Sequence, residues 1–122
     1  MMMKKHILIV EDSIPAMMVE KMLMENFNCI VDCVLTGENA IDLARGTRYD
    51  LILMDLGLPG IDGIETTKKI RGQERVVTII AVTGDIDPVQ HKRCLEAGMN
   101  DVFVKPLSKG NVRFILYNLV PK

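Results

Sequence analysis

Short, wholly apolar runs alternate along the chain with segments in which apolar residues recur at helical spacing. Residues 6–10, 29–35, 51–54, 76–82 and 102–104 read as strands. Residues 13–27, 38–45, 64–71, 88–97 and 108–119 read as helices. Ser13 stands where a helix N-cap is wanted, and Pro15 is tolerated in the first turn. The predicted inward stripe of that helix is Ala16, Val19, Leu23 and Phe27. Gly37 and Gly46 bound the second helix, and Ser108 caps the last. Asp87 caps the fourth, Pro88 opens it and Gly98 stops it. A turn-rich stretch, Gly57-Leu58-Pro59-Gly60 and then Asp62-Gly63, follows the third strand.

Strands apolar on both faces belong in a buried parallel sheet, and strand–helix alternation demands right-handed crossovers. A length of 122 residues accommodates about five such units in one domain, 1–122. The expected fold is α/β: a doubly wound five-stranded parallel sheet in the order 2-1-3-4-5, flavodoxin-like, with helices on both faces. Such sheets bind ligands at the carboxyl ends of their strands. The chemistry is therefore expected just after Val10, Met54, Val82 and Val104.

Composition narrows the function classes. A net charge of −1 gives no argument for nucleic acid or an anionic membrane surface. No apolar run approaches the roughly 20 residues of a membrane span, and none behind Lys4 and Lys5 matches a signal-peptide core, so a cytoplasmic protein is expected. The opening Met1-Met2-Met3 is read as disordered or added in cloning. Of the 3 cysteines, Cys29 and Cys33 fall in one predicted strand. At ~3.3 Å per residue they stand roughly 13 Å apart, too far for a disulfide. No ligand set for zinc accompanies them, so they are read as buried apolar residues. The 9 methionines are mostly core filler, with Met17 and Met18 as a candidate apolar patch for a partner helix. His6 and His91 are expected at the surface.

The predicted strand ends collect unusual residues. Glu11 and Asp12 follow the first, Asp55 the third, Thr83 and Gly84 the fourth, Lys105 and Pro106 the last. Three carboxylates on one edge repel one another, and a hard divalent cation relieves them. Magnesium suits oxygen ligands: Asp12 and Asp55 directly, Glu11 through water, and a carbonyl of the loop after Asp55. Carboxylates, Mg²⁺, a hydroxyl and a lysine at one place suit phosphoryl transfer, which needs positioning and charge neutralisation. Asp55 is the central nucleophile, able to form an acyl phosphate. Lys105 would neutralise the phosphoryl oxygens and Thr83 would hydrogen-bond one of them.

Val10-Glu11-Asp12, Leu53-Met54-Asp55 through Pro59-Gly60 and Asp62-Gly63, Val82-Thr83-Gly84 and Val104-Lys105-Pro106 together resemble the receiver domain of two-component response regulators. The resemblance covers nearly the whole chain. It implies Asp55 as phosphoacceptor, Glu11 and Asp12 as the acidic pair, Thr83 as the switch hydroxyl and Lys105 as the phosphate-binding lysine. It also implies the Gly57 carbonyl as a metal ligand and Mg²⁺ as cofactor. The phosphodonor it implies is a phosphohistidine on a histidine kinase or histidine phosphotransfer protein. Such a domain catalyses only its own phosphorylation and dephosphorylation. The Asp101-Val102-Phe103-Val104-Lys105-Pro106-Leu107 segment and the Pro15 pattern resemble receivers of hybrid sensor histidine kinases.

Three positions depart from the family pattern. Val102 stands where the family usually carries the aromatic partner of the switch hydroxyl, and Phe103 points to the other strand face. Gly84 replaces a frequent alanine, and Gly57 offers no side chain to the site. Other readings carry their own requirements. A metal-dependent phosphohydrolase needs a second acid or base, and a flavin carrier needs a phosphate loop and more than 4% aromatic residues. A degenerate receiver would only bind partners. The chain stops after the fifth helix, so no direct nucleic-acid contact is expected. A monomer or a phosphorylation-dependent dimer is expected, with the output protein unnamed.

Overall fold

The computed structural model describes residues 4–73 and 75–122. The expectation for Met1, Met2 and Met3 lies outside them. Strand β1 (His6–Val10) leads to α1 (Ile14–Asn26), β2 (Ile30–Val34) and α2 (Gly37–Gly46). Then come β3 (Leu51–Asp55), α3 (Gly63–Arg71), β4 (Thr78–Thr83), α4 (Pro88–Ala97), β5 (Asp101–Val104) and α5 (Lys109–Phe114), which continues into a π-helical turn, Ile115–Leu119. The strands form one parallel sheet in the order β2-β1-β3-β4-β5. The order reverses between β1 and β3, so a crevice opens at their carboxyl ends.

Side-chain alternation divides the core into two layers. Leu8, Val10, Ile52, Met54, Ile79 and Ala81 face Ala40 and Ala44 of α2, Ile64 and Ile70 of α3, and Cys94 of α4. Ile7, Ile9, Leu51, Leu53, Ile80 and Val82 face Leu23 and Met24 of α1 and Val112 of α5. Each of these strand residues is at most 1% exposed, and burying a Val, Leu, Ile or Met side chain contributes about 1.5–3 kcal/mol. Caps close the helices: Ser13, Thr36, Asp62, Asp87 and Ser108 each accept a hydrogen bond from a first-turn amide. Gly98 ends α4 at φ +109°, a conformation that disfavours a Cβ.

The structure corrects several boundaries and faces. Two-sided burial holds for β1, β3 and β4; β2 lies on the sheet edge, with Ile30 exposed. Strand β4 begins at Thr78, because β3 begins at Leu51 and Leu51 pairs with Thr78, leaving Val76 unpaired and exposed. The inward face of α1 is rotated from the predicted stripe. Met17, Glu20, Leu23, Met24 and Phe27 pack inward, while Val19, Met18 and Met22 are exposed. Apolar residues surround this helix, so their spacing alone did not single out a face. His6 is half-buried rather than at the surface: its Nε2 lies 2.9 Å from Asp32 Oδ2, which accepts from the Tyr49 hydroxyl at 2.7 Å. Cys29, Cys33 and Cys94 are unpaired thiols.

One guanidinium holds the far end of the sheet. Arg71 donates to the Gly98 carbonyl from Nε and Nη2 at 3.0 and 2.8 Å, and to the Val77 carbonyl at 2.6 Å. Asn100 Oδ1 accepts from Arg71 and from the Ile79 amide. The planar fork thus ties the end of α3 to the start of β4 and the α4–β5 turn.

Candidate functional site

Alternation along the strands carries chemistry to one face of the carboxyl edge. Ile7 and Ile9 face α1 and α5, and so does Glu11, the next residue of that parity. Leu51, Leu53 and Asp55 form the matching row on β3, and Phe103 and Lys105 follow the same parity through β5. Asp55 is the last residue of β3 and pairs with Val82. The Glu11 amide donates to Val34 at 3.1 Å and the Lys105 amide to Thr83 at 2.7 Å, so the sheet ladder extends into both functional loops. The Lys105–Pro106 peptide is cis.

The side chains converge. Lys105 Nζ lies 3.2 Å from Asp55 Oδ1 and 2.5 Å from Glu11 Oε1. Glu11 Oε2 accepts from the Ser13 amide at 3.1 Å, joining the acid to the start of α1. Asp55 Oδ1 also accepts from the Gly57 amide at 3.4 Å. Oxygens of Glu11, Asp12 and Asp55 lie within 4.8 Å of one another. Glu11 and Asp55 are buried, whereas Asp12 is exposed. Three carboxylates facing one ammonium leave the edge with surplus negative charge.

Electrostatics follow this crowding. Burial first, and then Glu11, pushes the Asp55 carboxyl above its usual range, against the opposing pull of Lys105. Burial acts to lower Lys105, but its bonds and charge contacts with Glu11 and Asp55 outweigh that and raise it. The ammonium is therefore held charged at neutral pH.

A divalent cation fits this donor set. Glu11 Oε1 is buried without a well-directed hydrogen bond, although the Lys105 ammonium stands close to it as an ion-pair partner. Beside it are two more carboxylates, all hard oxygen donors. Gly57 and Gly84 border open space, since a Cβ at either would meet nothing within 4 Å. Gly63 is different: a Cβ there would sit 2.3 Å from the Asp55 carbonyl oxygen, so glycine lets α3 start hard against the end of β3. That contact keeps the Asp55 backbone fixed between two elements.

The structure brings Glu11, Asp12, Asp55 and Lys105 together as the sequence led us to expect. Gly57 lies beside them through its amide. Thr83 closes β4 on the same edge, but its hydroxyl donates to the Asp85 carbonyl at 3.0 Å and bonds none of the site carboxylates. Val102 packs on the α2–α3–α4 layer and Phe103 on the α1–α5 layer, with the Phe103 ring 6.4 Å from Phe114. The opposite orientation expected for the two is therefore observed.

One group escaped the sequence reading. Glu20, on the inward face of α1, is 4% exposed. Burial first, and Glu11 next, pushes its carboxyl up to about 7, with Lys105 opposing and Asp55 adding to the rise. Its spacing of three from Met17 and from Leu23 was the available signal.

Comparisons with known proteins agree with this geometry. A family model described as the response regulator receiver domain matches residues 7–116. The chain is 36% identical over 93% of its length to the transcription factor SKN7 of Candida albicans, and spans 20% of that protein. It is 34% identical to two-component response regulator 24 of Arabidopsis thaliana, covering 92% of this chain and 81% of that one. Among solved structures, the receiver domain of the sensor histidine kinase PA1611 of Pseudomonas aeruginosa, which holds a magnesium ion in its active-site cleft, superimposes with a TM-score of 0.86. It is 38% identical, covering 93% of this chain and 95% of that domain. Proteins of very different size thus contain a unit of this kind, and this chain spans about a fifth of SKN7.

Proposed function

We propose, from the premise that the chain belongs to the response regulator receiver domain family, that Asp55 is its phosphoacceptor and that a phosphohistidine on a histidine kinase or histidine phosphotransfer protein is the donor. One observation carries the assignment. Asp55 is the central carboxylate of the edge, 3.2 Å from an ammonium that also faces Glu11.

In the transfer, a carboxylate oxygen of Asp55 attacks phosphorus. The P–N bond to the imidazole breaks, and its electron pair returns to the departing ring. An acyl phosphate forms at Asp55. Lys105 is already placed to neutralise a phosphoryl oxygen without reorganisation. Glu11, anchored by the Ser13 amide, keeps Lys105 and Asp55 in register. Asp12, Asp55, the Gly57 carbonyl and Glu11, the last through water, would hold Mg²⁺. When bound, the ion supplies charge neutralisation for the transferring group.

The same geometry supports a switch. For its hydroxyl to meet the phosphoryl group, Thr83 must release the Asp85 carbonyl, which shifts the loop entering α4. With Val102 in place of an aromatic ring, that loop, α4 and β5 carry the signal without a swinging side chain on β5. The domain acts in the cytoplasm, as a monomer or a phosphorylation-dependent dimer, and passes its state to a protein partner rather than to nucleic acid. A phosphohydrolase reading finds less support. Two clefts among the described residues, one lined by Ala44, Thr47, Arg48 and Tyr49 and one by Arg71, Asn100 and Leu119, lie at the opposite end of the sheet.

The test is intact-protein mass after incubation with acetyl phosphate, with Mg²⁺ or with a chelator. The expected result is a gain of one phosphoryl group with Mg²⁺ and none with chelator. Steady release of phosphate over many turnovers, with no gain in mass, would point instead to the hydrolase.

A further inference from the structure

Helix α4 is fastened at one end and open at the other. Its buried residues, Cys94 and Ala97, both lie in the carboxyl half, and Met99 just beyond is buried too. From Pro88 to Arg93 no residue is buried, and Val89 is 71% exposed. The Arg71 guanidinium sends three hydrogen bonds to the carboxyl end, two to the Gly98 carbonyl and one to Asn100 Oδ1 at 3.1 Å. Two more reach the segment entering β4, at the Arg75 and Val77 carbonyls. Asn100 is in turn bound twice to Ile79 of β4, its amide donating to the Ile79 carbonyl and its Oδ1 accepting from the Ile79 amide, both at 2.8 Å. The Arg71 stem lies so close to Gly98 that a Cβ there would sit 2.9 Å from Cγ. At the amino end the described bonds are local. The Thr83 hydroxyl bonds the Asp85 backbone, and the Asp87 carboxylate accepts from the Gln90 amide.

We propose that Arg71 is a positioning residue of the switch: by clamping Gly98 and Asn100 to β4 it makes the carboxyl end of α4 a fixed pivot, so that rearrangement of the Thr83 loop swings only the amino end. The proposal rests on the reading of Asp55 as phosphoacceptor. A guanidinium suits the task, because its planar fork holds several acceptors in one geometry, which a freely rotating ammonium does not. The pivot also gives leverage. Over the ten residues of α4, a tilt of about 10° moves the free end by roughly 2–3 Å, at ~1.5 Å rise per residue. A small loop shift beside Asp55 thus becomes a tilt of the whole helix. Strand β5 starts directly after Asn100 and ends before Lys105. The same clamp therefore keeps Lys105 in register on the sheet while α4 moves.

Amide hydrogen exchange, read residue by residue by NMR on wild type and Arg71→Met, tests this with and without acetyl phosphate and Mg²⁺. The buried amides of Ile9 and Leu53 report global opening and serve as the reference. In wild type, phosphorylation is expected to change exchange by about 3-fold or more across residues 84–93 and to leave residues 95–101 unchanged. In Arg71→Met the change is expected to spread through residues 95–101. A merely structural role would speed all slow amides together and leave the phosphorylation-dependent change confined. Should Arg71→Met fail to fold, Asn100→Ala takes its place, since it removes the acceptor that Arg71 and the Ile79 amide share. A wild-type change as large at residues 95–101 as at 84–93 would overturn the pivot, and so would a change that stays confined in the variant. If wild type gains no phosphoryl mass, the phosphoacceptor reading fails by itself. The clamp is then decided without phosphate: the variant is expected to exchange at residues 95–101 about 10-fold faster relative to Ile9 and Leu53, and an unchanged ratio would overturn it.

Discussion

Asp55→Asn is expected to lower phosphoryl acceptance from acetyl phosphate by at least ~1,000-fold, since an amide is a poor nucleophile and yields no acyl phosphate. The fold is expected to survive. Asparagine keeps the shape of the side chain at the end of β3, and Lys105 keeps Glu11 as a partner. Stability without metal is expected to be unchanged or higher at neutral pH. Burial and Glu11 raise the Asp55 carboxyl in the folded state above its value in the unfolded chain. Ionised Asp55 therefore opposes folding, an effect absent in acid and growing as pH rises past the ordinary carboxylate range. The variant removes that charge. Intact mass reads the first effect and urea unfolding at neutral pH the second. A folded variant that still gains a phosphoryl group would remove Asp55 from the role.

Asp12→Asn is expected to weaken Mg²⁺ binding by about 10- to 100-fold while changing the unfolding free energy read from urea titration by less than about 0.5 kcal/mol. The asymmetry follows from its surroundings. Asp12 is exposed, and its carboxylate makes no hydrogen bond or ion pair within the described residues, so the fold does not depend on it. Its oxygen nonetheless lies within 4.8 Å of those of Glu11 and Asp55. Phosphorylation at limiting Mg²⁺ is expected to fall in proportion and to recover as Mg²⁺ is raised. That recovery distinguishes loss of a metal ligand from loss of the acceptor. Calorimetry that finds an unchanged affinity would exclude Asp12 as a ligand.

The sheet order and the four charged site residues were legible because they lie where the apolar period breaks. Val10-Glu11, Met54-Asp55 and Val104-Lys105 are abrupt changes from buried strand to charge, and a parallel sheet brings such breaks to one edge. Helix α4 was legible to the residue because Asp87, Pro88 and Gly98 each have a mechanical reason to stand at its ends. The start of β4 was not, since Val76 and Val77 carry strand propensity and only the length of β3 denies Val76 a partner. The place of Thr83 at the carboxyl end of β4 was legible, but the direction of its hydroxyl depends on the turn to Asp85, which residue type does not encode. Glu20 was hidden by the apolar residues around α1, where an acid in mid-helix resembles a solvated position. Its burial comes from how α1 is rolled on β1 and β2, a tertiary choice.

The central claim is that the phosphoryl group resides on Asp55. Protein phosphorylated with acetyl phosphate and Mg²⁺, reduced with borohydride and sequenced by peptide mass spectrometry, tests it most directly. Reduction converts an acyl-phosphorylated aspartate to homoserine and leaves free carboxylates alone. Homoserine at position 55 alone is the expected result. Homoserine at Asp12, or a phosphoryl group retained on His6 or His91 with position 55 unreduced, would contradict the account.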